Sequence, residues 1–282
     1  MSGSKTRLTP VPSVNFLPER DADKPPILEC RSLGIDFGGL TAVNDFNLAI
    51  GRTEIAGLIG PNGAGKTTVF NLLTKVYKPT RGAILMNGVD TLDKSPVQIS
   101  KMGIARTFQN IRLFANLSVG DNVKIGLHNQ IHYSEISGIL RLPPYWKQEK
   151  IANERAKELL SIFDMQNLYD ARAGSLPYGA QRRLEIVRAL AANPLLLLLD
   201  EPAAGMNPSE TAGLMENIVK IRDMFKIAIF LIEHDMQLVM GICEGICVVN
   251  FGNIIAKGTP GEIRDNPKVI EAYLGKRNAR DA

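Results

Sequence analysis

The stretch Gly60-Pro61-Asn62-Gly63-Ala64-Gly65-Lys66-Thr67-Thr68 follows the short run Glu54-Ile55-Ala56-Gly57-Leu58-Ile59 and opens a helical pattern from Lys66 to Leu73. A glycine-rich turn standing alone is an ordinary loop. This one fits G-x-x-x-x-G-K-[ST], in which the glycines let the backbone wrap so that its N–H groups point inward at phosphate oxygens. The helix beginning near Lys66 brings its positive dipole end to the same place. A flexible turn has no use for a lysine and a hydroxyl at those two positions. Strand before and helix after make residues Gly60, Pro61, Asn62, Gly63, Ala64, Gly65, Lys66, Thr67 and Thr68 a cradle for nucleotide phosphates. Lys66 is expected to reach the β- and γ-phosphates and Thr67 to ligate Mg²⁺.

Working outward, Leu195-Leu196-Leu197-Leu198-Leu199 ends in Asp200-Glu201. A buried strand gains nothing from two carboxylates at its tip, whereas beside a phosphate cradle both have work. Asp200 completes a Mg²⁺ shell, and Glu201 orients and deprotonates an attacking water. The apolar runs Leu195–Leu199, Ile227–Ile232 and Ile246–Asn250 alternate with helical patterns, which predicts a parallel sheet covered on both faces. Residues 27–50 read as antiparallel strands split by Gly38-Gly39, and Ala83–Met86 as a strand closed by Asn87-Gly88. Between residues 96 and 174 the spacing changes. Ser118–His128 and Glu149–Phe163 are helical, and 133–147, with Pro143-Pro144 and Trp146, reads as a connection between helices. Residues 1–26 are polar and proline-rich and are expected to be a disordered tail.

The 282 residues allow one large or two modest domains, and 33 basic against 29 acidic residues give a net charge of only +4. Without a run of like charges that balance does not point to nucleic acid. No apolar run approaches the roughly 20 residues that cross a bilayer, and prolines break up the N-terminus. A cytosolic chain is expected, reaching any membrane through a partner. Cys30, Cys243 and Cys247 suit packing in a reducing compartment, since Cys243 and Cys247 lack a second pair for zinc. His128 and His132, four apart, lack the glutamate of a metalloprotease pattern and read as a solvated face.

The segment Leu176-Pro177-Tyr178-Gly179-Ala180-Gln181-Arg182-Arg183-Leu184-Glu185-Ile186-Val187-Arg188-Ala189-Leu190 resembles the signature of ATP-binding cassette (ABC) ATPases. With the cradle, Arg106-Thr107-Phe108-Gln109-Asn110, the acidic strand and Leu231-Ile232-Glu233-His234-Asp235, the resemblance covers nearly all of residues 27–275 in the family's order. It implies an α/β fold: a P-loop NTPase (RecA-like) core with a mostly parallel sheet, an antiparallel β subdomain and an inserted α-helical subdomain. Residues 27–282 would form one domain, with 27–95 and 175–282 as core and β subdomain and 96–174 as the helical part. In that family two such domains meet head to tail around ATP and Mg²⁺. Carried over, Phe37 stacks on adenine, Gln109 contacts Mg²⁺ or water and couples to the transport partner, and His234 contacts the γ-phosphate. Tyr178 and Gly179 face the γ-phosphate across the dimer, Gly179 through its backbone N–H, and Glu201 is the general base.

The chain departs from the usual Leu-Ser-Gly-Gly-Gln at Pro177, Tyr178 and Ala180, so the serine hydroxyl is gone and the clamp leans on Gly179 and the helix dipole. Asn207 stands where the family often has aspartate. The phrases around Gly179, Asn207, Met236 and Gly258 resemble the ATP-binding subunits of bacterial branched-chain amino-acid importers, the longer of their two ATPase types. That resemblance implies a motor subunit on the cytoplasmic face of the inner membrane. Its partners would be a second ATPase subunit, identical or different, two membrane permease subunits and, indirectly, a periplasmic solute-binding protein. A related importer of urea, amides or other amino acids is an alternative, as are a soluble ATP-dependent switch and a P-loop kinase. One cradle and no sustained heptads count against the switch, and the signature counts against the kinase.

Overall fold

The computed structural model describes residues 25–128 and 142–274. The expected tail lies outside these residues apart from Pro25 and Pro26, and so does His132.

Two sheets share the chain. Strands β1 (Leu28–Phe37) and β2 (Leu40–Ile50) pair antiparallel, with Leu28 opposite Ile50 and Phe37 opposite Leu40. Gly38 and Gly39, both at positive φ, make the two-residue turn whose twist matches the strands. β4 (Arg81–Met86) lies on the other side of β1 and turns through Asn87-Gly88 into β5 (Val89–Asp90), giving the order β2-β1-β4-β5.

The second sheet holds β3 (Ile55–Ile59), β6 (Ile104–Arg106), β7 (Leu196–Asp200), β8 (Ala228–Ile232), β9 (Gly245–Asn250) and β10 (Asn253–Gly258). Their order is β10-β9-β3-β8-β7-β6, parallel except for the β9–β10 hairpin. Every residue of β3, β7 and β8 is buried, as continuous apolar runs require. Side chains alternate across the sheet. Leu58, Leu198 and Phe230 join a core with β1, β2 and the helix α1 (Lys66–Leu73), while Ile59, Leu199 and Leu231 join the core under the remaining helices. Two strands of this sheet went unread in the sequence: β6 is three residues long and ends in arginine, and β10 is a half-exposed edge.

Helices α2 (Pro96–Lys101), α3 (Val119–Gly126) and α4 (Pro143–Ser161) precede α5 (Tyr178–Ala191), α6 (Pro208–Phe225), α7 (Met236–Ile242), α8 (Pro260–Arg264) and α9 (Pro267–Leu274). Helix α4 corrects the sequence reading, which placed residues up to 147 in a connection and began the helix at Glu149. Pro143-Pro144 opens the helix, because the first turn needs no N–H partner and the proline φ is already helical. The same logic recurs at α2, α6 and α8. There Ser95, Asn207 and Thr259 cap the helix, a Gln or Glu three residues on completes the capping box, and a proline follows the cap.

Candidate functional site

The parallel strands all end on one edge of the sheet, which is where such sheets present their loops to ligands. Four segments converge there: the loop after β3, the tips of β7 and β8, and the chain after β6. Gly65 caps α1 at φ 104°, a left-handed conformation that favours glycine. A Cβ at Gly65 would lie 2.6 Å from the carbonyl oxygen of Ala42, so the close approach of β2 also excludes a side chain. The Lys66 ammonium donates to the carbonyls of Gly60 (2.7 Å) and Pro61 (3.0 Å). Lys66 is only 6% exposed, and burial holds its amine below the usual lysine range, with Glu201 and Asp200 pulling the other way.

A cleft of about 480 Å³ opens over this loop. Its floor is Asn62, Gly63, Ala64, Gly65, Lys66, Thr67 and Thr68, and its wall includes Gln109, Glu201 and His234. Leu40, Thr41 and Phe251 form the rim, and Phe251 is 83% exposed at the β9–β10 turn.

Asp200 is buried at the tip of β7, 2% exposed. Its Oδ2 accepts from Arg106 Nη2 at 2.7 Å, and its N–H donates to Thr107 Oγ1 at 3.2 Å. Glu201 follows at φ 49°, which is uncommon for a residue with a side chain. Two bonds hold it there: its N–H donates to Ile232 O (2.9 Å), and its carbonyl accepts from Arg182 Nη2 (2.9 Å). The Glu201 carboxylate sits between two side chains, with Gln109 Nε2 at 3.0 Å from Oε2 and His234 Nε2 at 2.9 Å from Oε1. His234 is positioned by its neighbour. The buried Glu233 carboxylate accepts the N–H groups of Ala203 (2.7 Å), His234 (2.9 Å) and Asp235 (3.3 Å), and burial still pushes its pKa up.

Arg182, on α5, ties the site together. It donates to the carbonyls of Phe108 and Gln109, to that of Glu201, and to the carboxylate of Glu185. One buried guanidinium therefore holds both the backbone that presents Gln109 and the backbone that presents Glu201.

The structure brings together residues 62–68, Gln109, Glu201 and His234, with Asp200 directly behind. Phe37 lies outside the cleft wall, its ring edge-on to Tyr77 at 5.2 Å. Tyr178 and Gly179 also lie outside it, at the start of α5. Tyr178 packs on Gly205, and Glu210 stands over Gly179. Pro177 is the N-cap of that helix, with no side-chain cap. Sequence reading passed over Arg106, Arg182 and Phe251. For Arg182 a signal was available, because arginine with glutamate three residues later on the face that carries Ile186 and Ala189 has to be paired.

The family model for ABC transporters matches residues 43–204, from β2 through the acidic tip of β7. The chain belongs to the ABC transporter family. A second model, the branched-chain amino acid ATP-binding cassette transporter, matches residues 253–278. The chain is 45% identical over 251 residues to the high-affinity branched-chain amino acid transport ATP-binding protein BraF of Pseudomonas aeruginosa. It is 47% identical to LivG of Escherichia coli K12, a protein of the same description, and in both cases covers 89% of this chain and 98% of the relative. A probable LivG of Archaeoglobus fulgidus is 34% identical over 90% of this chain and 97% of its own. Among solved structures, the ADP conformation of the ATP-binding cassette MJ1267 superposes with a TM-score of 0.77 at 29% identity, over 89% of this chain and 99% of that one. The protein is an ABC ATPase, an ATP-driven motor subunit of a transporter. Among the described residues of this cassette no helix is long and apolar enough to cross a membrane.

Proposed function

We propose that this ATPase drives a bacterial importer of branched-chain amino acids from the cytoplasmic face of the inner membrane. In this reading it pairs with a second ATPase subunit, identical or different, and acts on two membrane permease subunits served by a periplasmic binding protein. The observation that carries the chemistry is the Glu201 carboxylate, held between Gln109 and His234 at the wall of the cradle. A carboxylate so placed accepts a proton from a water attacking the γ-phosphate, and His234 is within reach of the same phosphate. Lys66 and the loop amides of residues 62–66 hold the phosphates in line. Thr67, Gln109 and Asp200 offer hydroxyl, amide and carboxylate oxygens, the hard donors that suit Mg²⁺. Among the described residues no cluster of three His, Cys, Asp or Glu side chains is placed to hold a metal ion. When bound, it neutralises charge developing on the transferred group. Phe37 supplies adenine stacking. Tyr178 and the Gly179 N–H at the start of α5 face the partner's γ-phosphate, with Asn207 beside them.

The solute assignment rests on the match at residues 253–278 and on the relatives' descriptions. An importer of another solute is the second reading, because the solute assignment rests on relatives and not on a contact in this cleft. Glu201→Gln in the assembled transporter tests the chemistry: ATP binding persists and turnover falls at least a hundredfold, about 2.7 kcal/mol. Undiminished steady-state hydrolysis overturns Glu201 as the base. Uptake of labelled leucine by cells carrying the intact transporter, lost on deletion of this subunit, tests the solute.

A further inference from the structure

Arg106 sits at the end of β6, its side chain 6% exposed, and makes contacts the proposed chemistry does not use. Its Nη2 bonds Oδ2 of Asp200 at 2.7 Å, with both side chains nearly out of solvent. Its Nη1 bonds Asn71 Oδ1 on α1 at 2.8 Å and lies 3.4 Å from Oγ1 of Thr74, the C-cap of that helix. The guanidinium is flanked by the rings of Phe70 and Phe108, 5.5 and 5.1 Å from their centroids. Asn71 lies one helical turn beyond Thr67, on the same face of α1. Hydrogen bonds therefore join Asp200 to Arg106 and Arg106 to Asn71, and Asn71 stands one turn from Thr67, so Arg106 connects the elements that carry the two proposed metal ligands.

We propose that Arg106 is a positioning residue for the metal site, holding Oδ2 of Asp200 so that Oδ1 faces the cation at a fixed distance from Thr67. This rests on the reading of Asp200 as a magnesium ligand. A carboxylate this deeply buried needs a counter-charge whenever the cation is away, and Arg106 supplies it. A carboxylate is also free to turn about its last bond, and a bond to one oxygen removes that freedom. Among the described residues no side chain bonds Oδ1, which leaves it for the metal. The planar fork reaches Asp200 and Asn71 together, which a lysine ammonium on a flexible stem does not do in fixed geometry. Outer partners of metal ligands are worth about ten- to a hundredfold in metal affinity.

The test is calorimetric titration of the purified full chain with ATP, once in excess MgCl2 and once in EDTA, for the unaltered chain, Arg106→Met, Arg106→Lys and Asp200→Asn. The ratio of the two affinities is the magnesium enhancement. Expected is an enhancement reduced at least tenfold in Arg106→Met, partly restored in Arg106→Lys, and affinity in EDTA within twofold of the unaltered chain. A purely structural role would lower the melting temperature and leave the enhancement intact. Enhancement within twofold of the unaltered chain in Arg106→Met overturns the proposal. If that variant does not fold, Arg106→Gln takes its place, and the same result in it overturns the proposal. Asp200→Asn separates the two readings. If it keeps full enhancement, Asp200 is not the ligand and the proposal fails with that reading. If it loses enhancement while the Arg106 variants keep theirs, only the role of Arg106 fails.

Discussion

Replacing Arg182 with methionine removes the guanidinium that holds the backbones of both Gln109 and Glu201. Arg182 and Glu185 are each 1% exposed and bonded at 2.9 Å. The variant strips three carbonyls, those of Phe108, Gln109 and Glu201, of a charged donor. It also leaves the Glu185 carboxylate buried, with the Arg112 N–H at 3.3 Å and the Arg188 guanidinium at 4.0 Å as its remaining company. Breaking a buried pair from one side costs about 3–5 kcal/mol, chiefly because the surviving charge is uncompensated. The double variant Arg182→Met/Glu185→Leu removes that charge as well. It should cost about 2 kcal/mol, the residue of three under-bonded carbonyls, and so be more stable than the single variant. Urea unfolding followed by circular dichroism measures both, with the midpoint shift read through the slope m. A single-variant loss below about 1 kcal/mol, or a double variant no more stable than the single, refutes the reasoning.

Lys66→Ala should leave the fold intact and weaken ATP binding at least tenfold, about 1.4 kcal/mol, in the same calorimetric titration; normal affinity would count against the cradle. Gly65→Ala combines a left-handed φ with a clash on the Ala42 carbonyl. It should cost at least about 2 kcal/mol in urea unfolding and abolish nucleotide binding. Burial pushes the Cys30 and Cys247 thiols up to about 12 from an ordinary 9.0, and Cys243 moves the same way. The folded chain therefore keeps protons that the unfolded chain releases above pH 9. The stability these thiols contribute is complete below pH 9 and is lost as pH rises from 9 towards 12. Unfolding midpoints measured across that window should fall, and less steeply in Cys30→Val. In the folded protein iodoacetamide at pH 8 should leave all three thiols unmodified, whereas the unfolded chain reacts at each.

The sequence by itself determined the elements that local chemistry dictates. The spacing from Gly60 to Thr68 requires a wrapped backbone before a helix, and the leucine run ending in Asp200-Glu201 requires a buried strand with an acidic tip. The apolar runs of β3, β7 and β8 made a covered parallel sheet the only economical arrangement, and Gly38-Gly39 fixed the hairpin. Helix α4 was misread at its start because the same prolines that break a helix interior are well placed in a first turn, and only the surrounding packing selects between the two. Tertiary structure alone decided which side chains meet. The bond of Arg106 to Asp200 spans 94 positions of sequence, and that of Arg182 to the Gln109 carbonyl spans 73. Neither arises from periodicity, because each joins strands or helices whose adjacency follows from the sheet order. Burial then gives these contacts their weight. A charge shut away from water must find its partner, and in this chain the partners found are the residues that shape the cleft over the Gly60–Thr68 loop.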